Sequence, residues 1–376
     1  MGEDSAGGKE EKKRIETLRT AWFDRCKDIL SGTPPERPPL RAVNHAIPLV
    51  DDNKIYNYYL PRCAEAFRAP FMEKMNRYIA NGWWEPASVS QAAPLMCIPK
   101  NKRDSRLRTV IDSRKRNANT VRDVTPLPDQ DQIRTDMAKA RYRSKIDLSD
   151  AYEQIRVEPA DVWKTAFATI AGTLVSHVMQ MGDCNAPATF QRLMTHVFRQ
   201  QIGIFVHVFF DDIFVFSNTI KEHEEHLGTV FKLLREFHLF INKEKCFLYA
   251  ERIECLGHVI DQAGIHIGSD KMDRIRAWRT PRNVNEVQRF LGLVQYIAQF
   301  MPDLSAYTGP LAALCSETQT FHWRPLHDKC LEMIKVLACK MPILRPINLE
   351  TGEPLWLVCD ASVSGIGAMY GQGESW

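Results

Sequence analysis

The sequence predicts an α+β fold, because short strands and amphipathic helices follow one another without a regular repeat. The clearest strands are the two apolar halves of IFVHVFFDDIFVFS, which predict a hairpin with Asp211 and Asp212 at its turn. The clearest helix precedes this hairpin, where apolar residues recur at i, i+3, i+4, i+7 and i+8 from Phe190. The strict alternation of strands and helices that a doubly wound parallel sheet needs is not found, so the mixed class is favoured.

The first part of the chain predicts two helices and a pair of strands. Apolar residues recur at helical spacing from Glu10 to Leu30, and the proline-rich segment TPPERPP then sets a boundary near residue 40. A second helix is predicted from Phe71 to Ala80, with Pro70 at its start. The segments PLMCIP and LRTVID, on either side of a basic stretch, predict two paired strands.

The middle of the chain predicts a short strand and a capped helix. SKIDLS alternates so that Ile146 and Leu148 share one face of a strand, which directs Asp147 away from the apolar layer. Asn185 is predicted to cap the helix that begins near Pro187. Asp147 is therefore expected on the polar face of a strand.

The last part of the chain continues the mixed pattern. An amphipathic helix is predicted from Leu227 to Phe237, and Asn283 with Glu286 predicts the capped start of another. Finally, PLWLVCD and GIGAMYG predict the two strands of a hairpin.

Composition excludes several classes of protein. No apolar run approaches the roughly 18 residues of a membrane span, and the polar N-terminus lacks the apolar core of a secretory signal. We therefore expect an intracellular protein, cytoplasmic or nuclear and not secreted.

Ten cysteines without a C-x-x-C pair favour reduced thiols over structural zinc. The segment HEEH at residues 223–226 lacks the spacing of a zinc protease motif and predicts a solvated helix start.

A basic segment lies between Lys100 and Arg122. It holds nine Lys or Arg residues against two Asp residues. Such a segment either faces phosphates or forms a solvated basic loop, and its charge alone does not separate the two.

Three aspartates are the strongest candidates for chemistry. Asp211 and Asp212 lie between apolar strands, where burying two adjacent carboxylates without a partner would cost several kcal/mol. An exposed hairpin turn would remove that cost and is the simpler alternative for an isolated acidic pair. Asp147, on another short strand, adds a third hard oxygen donor of the kind that Mg²⁺ prefers. The three together predict a two-metal site for phosphoryl displacement, as in polymerases and nucleases.

From about His45 onward, the sequence resembles the reverse transcriptases of gypsy-type long-terminal-repeat retrotransposons. Six segments carry the resemblance in the order and at the spacings typical of that family: SKIDLSDAYEQIRV, KTAF, NAPATFQRLM, FFDDIFVFS, LGH at residues 256–258, and RFLGLVQY. The resemblance implies a right-hand polymerase with fingers, palm and thumb. It also implies a nucleotidyltransferase, an RNA-directed DNA polymerase that extends a primer on an RNA or DNA template.

The resemblance assigns roles to individual residues. Asp147, Asp211 and Asp212 would be the catalytic residues and the ligands of two Mg²⁺ ions, with Mn²⁺ as a substitute. Tyr152 would exclude ribonucleotides by its ring, although a tyrosine in isolation is more often a half-buried core residue. The resemblance further implies a dNTP-binding set of Lys102, Arg103, Arg108, Asp150, Ala151, Tyr152 and Gly182, in which either Lys102 or Arg103 aligns with the family.

A second set would bind the primer. It comprises Phe209, where the family usually has tyrosine, and Leu256 with Gly257, which resemble the family's primer grip; a strand with a glycine bulge is the alternative for this pair. Gln180 also departs from the family, which has proline there. These departures bear on contacts to the primer, the template and the nascent base pair.

The resemblance also divides the chain into parts. Residues 1–40 would form an N-terminal helix and linker, 41–260 the fingers and palm, 261–345 the thumb and connection, and 346–376 an incomplete ribonuclease H-like start. Asp360 matches only one acid of a ribonuclease H site that normally has four, so we expect no ribonuclease H activity from this chain.

Expected partners are an RNA template, a DNA primer or duplex and dNTPs. A homodimer or other Pol segments are further candidates, and no membrane is expected. The alternative function is an inactive or domesticated fragment that binds nucleic acid or protein.

Overall fold

The computed structural model of the chain describes residues 6–30, 32, 36–56, 59, 61–101, 104–301, 303–316, 320–339, 343–362 and 365–374. The chain divides into two units. The first consists of Met1–Asp129 and Tyr142–Ala250, and the second of Gln130–Arg141 and Glu251–Trp376. The chain therefore leaves the first unit after Asp129, contributes one helix to the second, and returns at Tyr142.

The first unit contains five helices and eight strands among the described residues. Its helices are α1 (Ala6–Arg25), α2 (Glu65–Ala80), α3 (Arg114–Asn117), α5 (Ala186–Val197) and α6 (Ile220–Glu236). Its strands are β1 (Trp84–Pro86), β2 (Ala93–Asn101), β3 (Asp104–Ile111), β4 (Tyr142–Asp147), β5 (Phe167–Thr169), β6 (Gly172–Ser176), β7 (Val206–Phe209) and β8 (Asp212–Ser217). Short 3-10 helices occupy Ala151–Gln154, Pro159–Thr165 and Lys243–Lys245.

Two sheets organise this unit. One has five strands in the order β1-β6-β5-β2-β3, and the other has three in the order β4-β8-β7. Across the residues described, β2 and β5 are the only parallel neighbours. This arrangement confirms the predicted α+β class and differs from a doubly wound parallel sheet.

The three-stranded sheet packs against three helices. Its core joins Ile146 of β4 and Ile213 of β8 with Phe190 of α5, Phe231 of α6 and Trp22 of α1, all of them buried. Because alternate strand residues point to opposite faces, burying Ile146 places Asp147 on the other face, as predicted. The sheet thus presents its acids on the side away from its main apolar core.

The five-stranded sheet packs against α2. Tyr78 of this helix meets the edges of Trp83 and Trp84 at centroid distances of 4.9 and 4.6 Å. The predicted helix is present, but it begins earlier than expected, at Glu65, so Pro70 lies inside it. A proline there withholds one backbone hydrogen bond, and burial of one apolar face compensates for that loss.

Asn185 precedes α5, but its side chain does not cap the helix. Its Oδ1 accepts from the backbone N–H of Asp123 at 3.0 Å, and its Nδ2 donates to the carbonyl of Val121 at 2.8 Å. The capping prediction was therefore wrong, because a distant extended segment offers this amide two backbone partners. Pro187, in the first turn, also brings no N–H that would need a cap.

The HEEH segment is not a solvated helix start. His223 is fully buried on the inner face of α6, with Nε2 2.7 Å from the Ser144 hydroxyl and Nδ1 2.8 Å from that of Ser217. His223 also continues the buried row of this helix towards Leu227, so position on the helix outweighs the charge of the neighbouring glutamates. Burial lowers the pKa of His223 to about 3.

His223 makes the stability of the first unit depend on pH. In the unfolded chain this imidazole gains a proton near pH 6.5, whereas in the folded chain it does so only near its pKa of about 3. The unfolded state therefore binds more protons between these values, and each unit of acidification in that window should cost about 1.4 kcal/mol. Urea unfolding of His223→Gln at pH 7 and pH 5 should show a smaller loss than wild type. The exposed His322→Gln is the control, and equal losses in wild type and His223→Gln would contradict the expectation.

The second unit contains five helices and five strands among the described residues. The helices are α4 (Gln130–Lys139), α7 (Ser269–Arg276), α8 (Val284–Tyr296), α9 (Leu304–Ala313) and α10 (Pro325–Ala338). The strands are β9 (Ile253–Cys255), β10 (His258–Ile260), β11 (Ile265–Ile267), β12 (Leu355–Ser362) and β13 (Gly365–Gln372). Short 3-10 helices lie at Ala298–Phe300 and Leu349–Thr351.

Two sequence predictions for this unit are confirmed. The Asn283 side chain caps α8 by accepting from the backbone N–H of Glu286 at 2.9 Å. The strands β12 and β13 form the predicted antiparallel hairpin. None of the helices in the described part of the chain is both long and apolar enough to cross a membrane.

Candidate functional site

The three aspartates lie at one end of the sheet β4-β8-β7. Asp147, the last residue of β4, pairs across the strands with Asp212, the first residue of β8, and Asp212 pairs on its other side with Phe209. The carbonyl of Asp211 accepts from the backbone N–H of Leu148 at 3.3 Å. The hairpin therefore turns at Phe210 and Asp211, whereas Asp212 belongs to the strand; this corrects the prediction of both acids at the turn. The register brings the acids together from two separate parts of the chain.

The backbone at the turn is held in a constrained form. Phe210 has a φ of +51°, which non-glycine residues rarely adopt, and its N–H donates to Gln191 Oε1 at 3.0 Å. Gln191 is buried on α5, so a side chain of the helix fixes the turn. Such local strain next to paired acids is typical of functional sites.

Two lysines neutralise two of the acids. Lys145 Nζ lies 2.8 Å from Asp212 Oδ2, and Lys245 Nζ lies 3.3 Å from both carboxylate oxygens of Asp147. Asp147 is buried, and Asp211 and Asp212 are half-buried, so the acidic pair is not the exposed turn of the simpler alternative. Lys145 shares a strand face with Asp147, two residues away, and strand periodicity could have found it. Lys245 is 98 residues from Asp147 and has no local signal.

Burial dominates the electrostatics of these carboxylates. Desolvation raises the pKa of Asp147, with Lys245 opposing it and the charge of Asp211 adding to it. Desolvation likewise raises the pKa of Asp212 against the hydrogen bond from Lys145. The two lysines therefore offset only part of the cost of placing these charges in the sheet.

The donor set suits a divalent cation, but the side chains are arranged around lysines. In the described ranges, no three His, Cys, Asp or Glu side chains form a ready-made metal cluster. Three carboxylates at one end of the sheet are nevertheless hard oxygen donors, and lysine ammonium groups lie beside two of them. The three side chains therefore have the right chemistry for a metal ion, but the contacts from Lys145 and Lys245 would have to break before one could bind.

The segment after Asp147 contains the predicted nucleotide-binding residues. Asp150 has a left-handed backbone with φ +43°, and Ala151 and Tyr152 begin a short 3-10 helix. The half-buried Tyr152 ring lies 5.9 Å from the ring of Phe190. Burial raises the pKa of Tyr152, and the charge of Asp211 raises it further. The tyrosine therefore faces the acidic turn while it leans on α5.

Glu153, next to Tyr152, is a group that sequence reasoning missed. Burial raises its pKa to about 7, and the charge of Asp150 adds to this effect while Lys74 opposes it. Lys74 itself donates to Thr109 Oγ1 at 2.8 Å and lies 4.9 Å over the Tyr78 ring. The segment predicted to bind nucleotide thus borders a half-buried charge cluster with α2.

A loop at residues 180–184 carries Gly182. Gly182 has a φ of +107°, a conformation that requires glycine, and its carbonyl accepts from Asn117 Nδ2 at 2.8 Å. Arg108, exposed on β3, approaches this loop with Nη2 3.8 Å from Met181 Sδ. Arg108 and Gly182, both predicted to bind dNTP, are therefore close in the fold. Lys102 and Arg103 lie outside the described residues.

A buried ionic network holds this loop from behind. Asp183 pairs with Arg116 and lies 3.2 Å from His45 Nε2, while His45 Nδ1 lies 3.1 Å from Thr189 Oγ1. Burial alone would raise the pKa of Asp183, but Arg116 and His45 outweigh it and lower the pKa. The basic segment of the sequence therefore supplies at least one buried structural cation, Arg116.

Gln180 is buried, and among the residues that the structure describes neither its amide oxygen nor its amide nitrogen has a hydrogen-bond partner. A buried unsatisfied polar group costs about 1–3 kcal/mol, so Gln180→Leu should raise the free energy of unfolding by that amount. Chemical denaturation measures the difference, with the exposed Gln200→Leu as the control. A less stable Gln180→Leu variant would show that the amide is satisfied in solution.

The predicted primer-binding residues lie in different units. Phe209 ends β7 in the first unit and packs on Phe210 at a centroid distance of 4.7 Å. Leu256 and Gly257 form the two-residue turn between β9 and β10 in the second unit, with φ of +49° and +75°. The alternative of a glycine bulge is therefore wrong, because the pair closes a tight hairpin.

Comparison with known proteins agrees with this geometry. The family model described as "Reverse transcriptase (RNA-dependent DNA polymerase)" matches residues 98–260. The Transposon Tf2-3 and Tf2-7 polyproteins of Schizosaccharomyces pombe are each 28% identical over 355 residues, which is 93% of this chain and 26% of the relative. The chain thus spans about a quarter of the length of these curated relatives.

Solved structures show the same fold. A foamy viral protease-reverse transcriptase in complex with dsDNA is similar with a TM-score of 0.77 and 24% identity, covering 96% of this chain and 74% of that chain. The same enzyme in complex with an RNA/DNA hybrid gives a TM-score of 0.73, covering 96% and 48%. Enzymes of this family generally use divalent metal ions. Residues 98–260 thus match the reverse transcriptase family, and most of the chain is similar to transposon polyproteins.

Proposed function

We propose that this chain is an RNA-directed DNA polymerase that extends a primer on an RNA or DNA template. The observation that carries the proposal is the register that sets Asp147 beside Asp212, with Asp211 at the adjoining turn. On this basis we assign residues 41–260 to fingers and palm, 261–345 to thumb and connection, and 346–376 to a ribonuclease H-like start, with 1–40 as an N-terminal helix and linker. The alternative of an inactive binding module gains no support from the comparisons.

Asp147, Asp211 and Asp212 would hold two Mg²⁺ ions, and Mn²⁺ is a substitute with the same oxygen preference. When bound, such a pair stabilises the charge on the attacking and leaving oxygens of a phosphoryl transfer. Lys245 is 61% exposed and holds Asp147 at 3.3 Å, whereas Lys145 is 17% exposed and holds Asp212 at 2.8 Å. Lys245 should therefore give way more readily, leaving Lys145 to orient Asp212.

Other residues of the chain would position the substrates. The backbone at Asp150 and Ala151 would meet the triphosphate, and the Tyr152 ring would lie against the sugar where a 2′-hydroxyl would need room. Arg108 can donate to phosphate oxygens, and Gly182 allows close approach of the backbone to the nascent base pair. Phe209, Leu256 and Gly257 would contact the primer. Lys102 or Arg103 would add a further cation for the triphosphate.

Primer extension tests this function. Purified chain, oligo-dT annealed to poly-rA, dTTP and Mg²⁺ should yield extended DNA, and Mn²⁺ should support the same product. Binding to the primer–template should weaken steeply between 50 and 200 mM salt, because phosphate contacts release counterions. Salt-sensitive binding without extension in either metal would instead favour the inactive module, and neither binding nor extension would refute both.

A further inference from the structure

The turn between β9 and β10 is an unusual hairpin turn. Leu256 and Gly257 both have positive φ, as a two-residue turn of type I′ requires, and that turn normally has asparagine or aspartate before glycine. A left-handed backbone is unfavourable for leucine, because its Cβ crowds the following carbonyl. Contacts from elsewhere must therefore stabilise this turn.

Two helices of the same unit supply those contacts. Tyr296, at the end of α8, donates from its hydroxyl to the carbonyl of Leu256 at 2.5 Å. Lys271, on α7, donates from Nζ to the carbonyl of Gly257 at 3.0 Å. Lys271 Nζ also lies 3.6 Å from the centre of the Tyr296 ring, so the two side chains support one another.

His258 completes the support on the strand side. Its ring stacks on Tyr296 at a centroid distance of 4.9 Å and on Phe300 at 5.6 Å. Its Nδ1 lies 3.0 Å from the Tyr296 hydroxyl and 3.3 Å from the carbonyl of Leu256. The same carbonyl is thus approached by two side chains.

The space around Gly257 is filled by this support. A Cβ added at Gly257 would lie 2.4 Å from Lys271 Nζ and 2.7 Å from the Tyr296 hydroxyl. Any side chain here would displace both groups, quite apart from the positive φ. The turn and its two supporting side chains therefore form one tightly fitted unit.

The turn borders an open cavity. Gly257 lines this cavity of about 600 Å³ together with Arg252, Glu254, His266, Asp270 and Lys271. Both turn residues remain partly exposed. The turn therefore remains accessible to a nucleic-acid strand while α7 and α8 hold it.

We propose that Tyr296 and Lys271 are positioning residues for primer extension. They hold the Leu256–Gly257 turn in its left-handed form. This turn would then fix the 3′ end of the primer. The inference rests on the proposed function, because it requires the turn to contact primer. It goes further by assigning the rigidity of that contact to α7 and α8. A shift of about 1 Å at a reacting group can cost on the order of 10²-fold in rate, so loosening the turn should slow chemistry more than binding.

The test uses Tyr296→Phe in the full chain. This change removes one hydroxyl and keeps the ring that stacks on His258 and faces Lys271. At saturating primer–template and dNTP, the extension rate should fall about tenfold, while the Kd for primer–template stays within about twofold. A 2-aminopurine at the primer 3′ end should fluoresce more strongly in the complex with Tyr296→Phe than with wild type. Tyr307→Phe, the same change at a half-buried tyrosine of α9, should match wild type in all three measurements.

Lys271 provides a second line of evidence. Lys271→Met should reproduce the slow extension, Lys271→Arg should restore most of it, and the double variant with Tyr296→Phe should be no slower than the worse single variant. Wild-type rate and fluorescence in Tyr296→Phe would overturn the inference, as would a rate loss matched by loss of binding or of melting temperature in both Tyr296→Phe and Lys271→Met. A wild-type chain that forms no product would overturn the proposed function instead.

Discussion

Extension should fall by at least about 10³-fold when Asp147 or Asp211 is replaced by asparagine. Each change keeps the size and shape of the side chain but removes the negative charge that a divalent cation needs. Because Asp147 ends β4 and Asp211 lies in the turn that precedes its partner strand β8, losing either should impair the same site. Rates of dTTP incorporation on poly-rA/oligo-dT in Mg²⁺ measure the effect, and gel-shift binding to the same duplex should remain near the wild-type level.

The fold should survive these changes. Burial raises the pKa of Asp147, which means that the folded chain disfavours its charged form relative to the unfolded chain. A neutral asparagine removes that penalty, so Asp147→Asn should melt no lower than wild type. The exposed Asp52→Asn is the matched control and should extend normally. Extension within tenfold of wild type in either site variant would contradict the metal role.

Sugar selection should weaken by roughly 10- to 200-fold in Tyr152→Val, the range that a missing hydrophobic contact commonly produces. The Tyr152 ring leans on Phe190, and the charge of Asp211 is felt at its hydroxyl, so it lies at the edge of the acidic site. Removing the ring opens the space that a 2′-hydroxyl would occupy. The ratio of kcat/KM for dTTP to that for UTP measures this directly.

Tyr152→Phe is the control for this prediction. It keeps the ring and loses only the hydroxyl, so selection against ribonucleotides should stay close to wild type. A ratio unchanged in Tyr152→Val would remove the gate assignment. A ratio that fell equally in both variants would show that the hydroxyl, not the ring, discriminates.

The arrangement of the acids could be predicted from sequence because it follows from short-range rules. Strand alternation placed Asp147 opposite Ile146, and two apolar runs placed Asp211 and Asp212 at a hairpin. The exact turn could not be predicted, since pairing with β4 decides that Asp212 belongs to the strand.

Features set by long-range partners were not predictable. Asn185 fits the pattern of a helix cap, but its side-chain amide forms hydrogen bonds with the backbone of residues 121 and 123 instead. Lys245 reaches Asp147 across 98 residues, and no local pattern marks it. The local sequence limits which hydrogen-bond partners a side chain could have, but the tertiary fold determines which of them it contacts.

His223 shows a different limit. The flanking glutamates suggested a solvated segment, yet helical periodicity already placed this residue in line with Leu227 on the inner face. Two serine hydroxyls from strands β4 and β8 satisfy the imidazole there. Weighting periodicity above composition would have found the burial, although not the identity of the serines.

The lysine contacts of Asp147 and Asp212 bear on whether the chain needs a metal ion in order to fold. A zinc finger cannot fold until its ion binds, whereas two of these three acids already have a lysine ammonium group beside them in the folded chain. We therefore expect the chain to stay folded when it is purified and stored in a chelator. The chain should therefore give the circular dichroism of the folded protein in EDTA as well as in Mg²⁺, which is the result expected if the ion serves the proposed reaction and not the architecture.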